Sequence, residues 1–389
     1  MQLVFFCEER FFKGSDGKIY SRGGFPKILW QRYLSVFAHV TVVARVGGKG
    51  EENPNYVTDQ ENVSVIDLPY YVGPREYLKV ASSLKKKIAD SLCPGSAHIC
   101  RVPGTIGGIA AKIMRRRSIP YGVEVVGDPW DVFAPGANTH ILRPFFRFWG
   151  YRNLKKCVAG ATAALYVTKN ALQARYPVKV GAFNTNASDV FLKKEIFCRE
   201  AKKLSRKKIY ELLSIGSLAQ MYKSPDVAIR ALKLLKERGL SCRLTWLGDG
   251  VFRQRMEALA KELEISKDVI FAGNVSADEV HRRLEKADIF LLVSRTEGLP
   301  RALVEAMAHG LPCIGTRVGG IPELLEDAVL IPPENPAALA EKLSEMLENF
   351  MFADATATRN LETAREYEDE ILQVKREEFY KTLKARFEK

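Results

Sequence analysis

The sequence predicts an α/β protein built from two doubly wound parallel sheets, and three features carry that expectation. The chain has 389 residues, too many for one ordinary hydrophobic core and suited to two domains. Short β-branched and aromatic runs alternate with longer helical stretches along its length. Those short runs are nearly continuous in apolar residues, as strands covered by helices on both faces require.

The first series of strands is expected at 3–7, 40–46, 63–68, 98–102, 122–126, 163–167 and 179–183. Gly14, Gly17, Gly23 and Gly24 come after the first strand, ahead of a helix beginning near Phe25 and Pro26. A polar, basic connection at 193–208 leads to a second series at 209–215, 243–247, 269–272, 289–293, 313–316 and 329–331. Helices such as 226–237 and 253–263 separate those strands. The last stretch places Tyr367, Ile371, Val374, Phe379 and Leu383 at rough helical spacing, which predicts a helix bracing the first domain. The expected organisation is therefore a domain at 1–185, a domain at 186–360 and a C-terminal helix at 361–389.

Apolar residues make up 47% and charged residues 27%, a globular composition. No run approaches the roughly 20 apolar residues a membrane-spanning helix needs. The start, MQLVFFCEERFF, meets Glu8 and Glu9 without a basic flank, unlike a signal peptide. Seven cysteines, with no Cys-x-x-Cys pair, suit reduced thiols and a cytoplasmic location. The net charge of +13 is unevenly distributed: residues 1–185 carry 26 Lys and Arg against 13 Asp and Glu, and the rest 33 against 33. The basic half would attract an anionic partner.

The most informative segment runs from Ser294 to Gly310. It succeeds a buried strand and opens a helix expected over about 300–309, with Pro300 in the first turn and Gly310 and Pro312 punctuating the end. Its N-terminal N–H groups would face an anionic or hydroxyl-rich ligand above the strand's carboxyl end. Glu297 lies in the loop, and Glu305 about five residues into the helix, roughly 7–8 Å along its axis. Such a pair can hold a ribose and a hexose with phosphates between them. An isolated helix glutamate is usually exposed, but Ala302, Leu303, Val304, Ala306 and Met307 surround Glu305, so burial and a need for a partner are expected. No Gly-x-Gly-x-x-Gly opens a helix, which disfavours a dinucleotide enzyme.

Glu297-Gly298-Leu299-Pro300 to Glu305, Gly310-Leu311-Pro312 and Val318-Gly319-Gly320-Ile321-Pro322-Glu323 together resemble the family-4 retaining glycosyltransferases. The likeness extends back through Gly273, Leu247-Gly248-Asp249-Gly250 and the stretch from Gly216 to Asp226, covering about 210–335. It implies the GT-B fold: two Rossmann-like, doubly wound domains facing a central cleft, with a C-terminal helix crossing back to the first. It also implies that Glu305 binds the donor ribose, Glu297 sits beside the transferring sugar, and Lys223 neutralises the diphosphate. Backbone N–H groups of Gly298, Leu299 and Arg301, next to Pro300, would contact sugar hydroxyls, while Gly273 frames the base and Gly216, Ser217 and Gly248 complete the donor-binding set. Ser217 stands where many members have Arg.

In the first domain the resemblance makes Gly23 and Gly24 a diphosphate and acceptor loop. Val126 occupies the place of the family's sugar-contacting histidine, so Asp128 or Asp131 is expected to substitute. His39, His98, His140, His281 and His309 show no ligand spacing, and no metal site is expected. The stretch 143–156 interleaves aromatics with cations, and with Lys85–Lys87 and Arg115–Arg117 it suggests peripheral docking on an anionic membrane face. Its charges do not gather on one helical face, so its Phe and Trp are expected partly in the core. Nucleic acid is disfavoured, because no recognition module appears.

These features imply a retaining, metal-independent glycosyltransferase. It would use a nucleoside-diphosphate sugar as co-substrate, no cofactor, and a glycan or polyprenyl-linked acceptor. A nucleotide-sugar epimerase of the same architecture and a non-catalytic nucleotide-sugar-binding subunit stay open as alternatives.

Overall fold

The structure is a computed structural model that describes residues 1–135 and 141–387. His140 lies outside the described residues. The chain divides into two compact units, one comprising 1–129, 148–187 and 373–389, the other 130–147 and 188–372.

The first unit is built on β1 (Gln2–Lys13), β2 (Ile19–Ser21), β3 (His39–Val46), β4 (Val63–Leu68), β5 (Ala97–Val102), β6 (Gly122–Val125), β7 (Ala163–Tyr166) and β8 (Phe183–Asn186). Its order is β4-β3-β1-β5-β6-β7-β8, all parallel, with β2 antiparallel to the end of β1. That order reverses between β1 and β5, the place where an open α/β sheet offers a ligand crevice. β1 is longer than expected because Phe11, Phe12 and Lys13 pair with Ser21, Tyr20 and Ile19, turning Gly14 and Gly17 into a hairpin. Beyond Gly24 the chain forms a 3-10 turn at Lys27–Trp30 and a short helix at Gln31–Leu34. β8 starts later than expected, since Ala182 N–H closes a turn on the Lys179 carbonyl.

The second unit is built on β9 (Tyr210–Ile215), β10 (Cys242–Leu247), β11 (Val269–Gly273), β12 (Ile289–Leu292), β13 (Cys313–Thr316) and β14 (Leu330–Ile331). These lie wholly parallel in the order β11-β10-β9-β12-β13-β14. The reversal falls between β9 and β12. Both sheets are thus Rossmann-like, and the pair is the GT-B architecture.

The helix Phe350–Arg365 still belongs to the second unit, where Asn360 donates to the Leu311 carbonyl (3.0 Å) and Asp354 accepts from Leu204 N–H (2.8 Å). The chain joins the first unit only from Gln373, within the helix Asp369–Lys384. There Tyr380 packs on Tyr33 and Phe37, and Phe379 and Leu383 close over Gly122. The buried side of this segment is Leu372, Arg376, Phe379, Tyr380 and Leu383, while Ile371 and Val374 face outward. The helix starts only at Asp369, and the spacing that continues from Leu372 sets its phase.

Candidate active site

β9 and β12 are neighbours, but the chain leaves β9 for β10 and β12 for β13. The loops after them therefore diverge and open a crevice at the carboxyl edge of the sheet. Lys223 comes from the loop after β9 and Glu297 from the loop after β12. The Lys223 Nζ and Glu297 Oε1 stand 2.5 Å apart, and the same oxygen accepts a 2.6 Å hydrogen bond from the buried Ser294 hydroxyl. Ser294 is itself held from behind, its carbonyl accepting from Thr316 Oγ1 at 2.6 Å. Both ends of the Lys223–Glu297 pair are largely shielded from solvent, so their attraction is screened less than that of a surface pair.

Arg295 locks these two loops together. Its Nη1 donates to the Met221 carbonyl (2.6 Å), Ser224 Oγ (3.0 Å) and Asp226 Oδ1 (3.2 Å), its Nη2 to Asp226 Oδ2 (2.9 Å), and its Nε to Glu334 (2.8 Å). In return, its backbone N–H donates to the Tyr222 carbonyl at 2.7 Å. One guanidinium fork thereby fixes the turn that presents Lys223. Ser224 ends that turn in the left-handed region (φ 53°, ψ 51°), buried beneath the fork. Lys223 reaches the crevice by crossing Gly216, where a Cβ would lie 2.7 Å from the Lys223 Cγ. Gly216 is therefore required by close approach.

The helix beyond Glu297 spans Arg301–Ala308, with Pro300 as its N-cap residue instead of its first helical one. The Leu303 N–H turns onto the Pro300 carbonyl at 3.2 Å, while the Arg301 and Ala302 N–H groups have no acceptor within the helix and supply the positive dipole end. Leu303, Val304, Ala306, Met307 and Ala308 are buried, while Glu305 is half-buried. No hydrogen-bond or ion-pair partner among the described residues meets the Glu305 carboxylate. Burial pushes its pKa up, and the Arg301 and His281 charges pull it partly back. A carboxylate in this state gains from accepting ligand hydroxyl protons.

Behind it, His309 Nδ1 donates to the Glu305 carbonyl (2.9 Å), and its Nε2 faces His281 Nδ1 at 3.4 Å with the rings stacked. Burial lowers the His309 pKa. The remaining loops meet through backbone contacts. Gly216 N–H donates to the Leu247 carbonyl and Gly248 N–H to Gly273, each at 2.8 Å, while Ser217 Oγ accepts from Ala219 N–H. On the β12–β13 side of the crevice, Gly320 N–H donates to the Gly298 carbonyl at 2.8 Å, seating the glycine turn against the loop that runs on to Leu299 and Pro300.

Lys223, Glu297, Gly216, Ser217, Gly248, Gly273, Gly298 and the start of the 301–308 helix thus share one edge of the second sheet. Ser294, Arg295, Thr316 and the two histidines are additions that sequence reasoning missed. Position directly after β12 was an available signal for Ser294 and Arg295; the histidine pair, 28 residues apart, gave none.

Asp128, Gly23 and Gly24 belong to the first unit. The Asp128 carboxylate is buried and engaged by the Arg175 guanidinium and, at 2.5 Å, by the Tyr176 hydroxyl, so it is committed to holding the segment after β7. Asp131 falls in the 130–147 stretch of the second unit. Among the described residues no group of three or more His, Cys, Asp or Glu is placed to hold a metal ion.

Residues 198–363 match the family described as glycosyl transferases group 1. The GT-B fold and that match define the class of the protein, a glycosyltransferase that uses a nucleotide sugar. Protein CapJ of Staphylococcus aureus is 26% identical over 384 residues, covering 97% of this chain and 94% of CapJ. The putative colanic acid biosynthesis glycosyltransferase WcaL of Escherichia coli is 38% identical over 143 residues, a span of 34% of this chain and 35% of WcaL. Among solved structures, sucrose-phosphate synthase of Thermosynechococcus elongatus superposes with a TM-score of 0.73 at 14% identity, covering 99% of this chain and 100% of that one. That similarity concerns the fold alone.

Proposed function

We propose that this chain is a retaining glycosyltransferase of the family-4 kind, acting without a metal. It transfers a sugar from a nucleoside-diphosphate donor held by the second unit to a glycan or polyprenyl-linked glycan. One observation carries the reading: a single Glu297 oxygen holds both Lys223 and Ser294 at the sheet's switch point, in the loop that leads into a helix bearing Glu305, whose carboxylate has no partner among the described residues.

In this reading the Glu305 carboxylate accepts the ribose hydroxyls. The Lys223 ammonium and the first-turn N–H groups of the 301–308 helix stabilise charge that develops on the departing diphosphate. The bond from the sugar's anomeric carbon to the diphosphate oxygen breaks, and a bond to the acceptor oxygen forms on the same face. The acceptor proton passes to the leaving diphosphate, so no second carboxylate acts as base. Glu297 steadies the cationic sugar without attacking it.

The likeness to WcaL, whose description names colanic acid biosynthesis, supports an acceptor in cell-surface polysaccharide or glycolipid assembly. Docking at the cytoplasmic face of a membrane is part of the same proposal. Its support is the helix Arg143–Ala159, where Phe145, Phe148 and Trp149 are 61%, 54% and 54% exposed instead of entering the core. They share a helical face with the exposed Arg152 and Lys156. Aromatic residues beside cations suit an anionic interface.

The test is proton NMR of the sugar released when the chain turns over α-linked UDP-, GDP- and ADP-hexoses. First appearance of the α-anomer supports retention. A β-anomer contradicts it, and conversion of donor to another nucleotide sugar without transfer favours an epimerase.

A further inference from the structure

Three loops of the second unit meet at one side chain that the chemistry above does not use. Arg253 opens the helix Arg253–Glu262, which follows β10. Its Nη1 donates to Asp249 Oδ2 (3.1 Å), its Nη2 to the Phe271 carbonyl (3.1 Å) and its Nε to Glu257 Oε1 (2.8 Å). The Phe271 carbonyl lies where the ladder between β10 and β11 is irregular: Trp246 pairs with Phe271 and Leu247 with Gly273, so Ala272 is an extra residue. Bulges of this kind end strand pairing and re-aim the chain beside ligand crevices. Here the guanidinium takes the carbonyl next to the bulge. Gly273 (φ +72°) turns beside it, a Cβ there lying 3.5 Å from both Arg253 Nη1 and Asp249 Oδ2.

The Asp249 end of the fork is tied to the loop that leads to Lys223. Asp249 Oδ1 accepts from Gly250 N–H (2.7 Å), the Asp249 carbonyl from Leu218 N–H (2.9 Å), and the Leu218 carbonyl from Phe252 N–H (3.0 Å). Gly250 (φ +156°) comes so close that a Cβ would collide with Ala219 N. Backbone bonds thus zip the loop after β9 to the loop after β10. The end of β11 is joined to them by the Arg253 side chain and by the Gly248 N–H bond to the Gly273 carbonyl (2.8 Å). Arg253, Asp249 and Glu257 are all partly exposed, so these ion pairs add little to global stability and act on local order.

We propose that Arg253, through Asp249 and the Phe271 carbonyl, is a positioning residue that sets the enzyme's preference among nucleobases. It holds the loop after β11, which receives the base, at a fixed distance from the loop that carries Lys223. This deepens the glycosyltransferase reading and rests on it. A wrong base is rejected only if the donors and acceptors around it cannot shift to meet it, so discrimination depends on the fork. Diphosphate recognition does not, because Arg295 fixes the Lys223 turn and backbone bonds fix the 216–219 loop.

Calorimetric titration of the full chain with UDP, GDP, ADP and inorganic pyrophosphate tests this on the wild type, Arg253→Met and Arg253→Lys. The wild type is expected to prefer one nucleoside diphosphate. Arg253→Met should weaken that one by about tenfold or more, the effect of losing charge-assisted hydrogen bonds, and draw the three affinities together. Pyrophosphate binding and melting temperature should not move, and the donor KM should rise by more than kcat falls. Arg253→Lys should recover only part of the preference, since an ammonium cannot span Asp249 and the Phe271 carbonyl. Should Arg253→Met melt early, Arg253→Lys and Asp249→Asn carry the comparison. An unchanged preference in the folded variants, an equal loss for pyrophosphate and all three nucleotides, or a wild type that binds the three alike overturns the positioning role. Failure of the wild type to bind any diphosphate would instead overturn the donor reading beneath it.

Discussion

Lys223 Nζ and Glu297 Oε1 stand 2.5 Å apart across the crevice of the second sheet, and each residue comes from a different strand-end loop. The pair stores a cation at the place where a diphosphate is to be neutralised, and the arriving phosphates compete with Glu297 for it. Lys223→Ala should therefore lower turnover by about two to three orders of magnitude, the usual effect of removing one donor to a developing oxyanion. Glu297→Gln should lower turnover while leaving nucleoside diphosphate affinity equal or higher, because Lys223 is then free for phosphate. Steady-state kinetics alongside calorimetric titration with the diphosphate separates the two effects. Weaker diphosphate binding in Glu297→Gln would contradict this division of roles.

Arg295 touches neither sugar nor phosphate in this scheme, yet its fork to Asp226, Ser224 and the Met221 carbonyl fixes the turn before the helix Pro225–Glu237. Removing it leaves Asp226 without its cation. Arg295→Ala should destabilise the chain by on the order of 3 kcal/mol in urea unfolding. Arg295→Lys should keep more of the stability but still weaken the diphosphate, since an ammonium cannot span both Asp226 oxygens. A variant with unchanged donor affinity would show that Lys223 does not depend on this staple.

How much of this was legible in the sequence depended on whether the deciding contacts were local. The 301–308 helix, its glycine stop and the half-buried Glu305 could be read from residues within one turn of each other. Thr316 reaches the Ser294 carbonyl from 22 residues away and His281 meets His309 across 28, which no periodicity records. Asp128 was expected to face sugar, but Arg175 and Tyr176, 47 and 48 residues away, engage it. The extension of β1 was hidden because Glu8, Glu9 and Arg10 interrupt its apolar run where its register against β3 slips.

His98 in β5 gives a pH signature. Its ring is buried between Phe6 and Phe387, neither nitrogen has a partner among the described residues, and burial lowers its pKa to about 4 from the ordinary 6.5. Between pH 6.5 and 4 the unfolded chain takes up the proton that the folded chain refuses, so this group's linkage makes stability fall as pH falls through that window. Above 6.5 the effect vanishes. The loss at pH 5 relative to pH 7 is about 2 kcal/mol from this group. His98→Met should remove that part of the slope in urea unfolding at the two pH values. An unchanged slope would contradict the assignment.

The exposed Phe145, Phe148 and Trp149 predict binding to vesicles that contain anionic lipid, weakened by salt. Phe148→Ser combined with Trp149→Ser should lower vesicle partitioning by about tenfold or more, without a change in melting temperature. Equal sedimentation of wild type and variant with phosphatidylglycerol vesicles would remove this surface from the proposal.

The most direct measurement is a thermal shift with UDP, GDP, ADP and NAD on the wild type and Glu305→Ala. A ligand at about 100 times its dissociation constant stabilises by roughly 2.7 kcal/mol, which is readily seen. Selective stabilisation by one nucleoside diphosphate, lost in Glu305→Ala, is the expected result and names the donor's base. No response to any diphosphate, or the same response in both proteins, would contradict a donor site at the 301–308 helix.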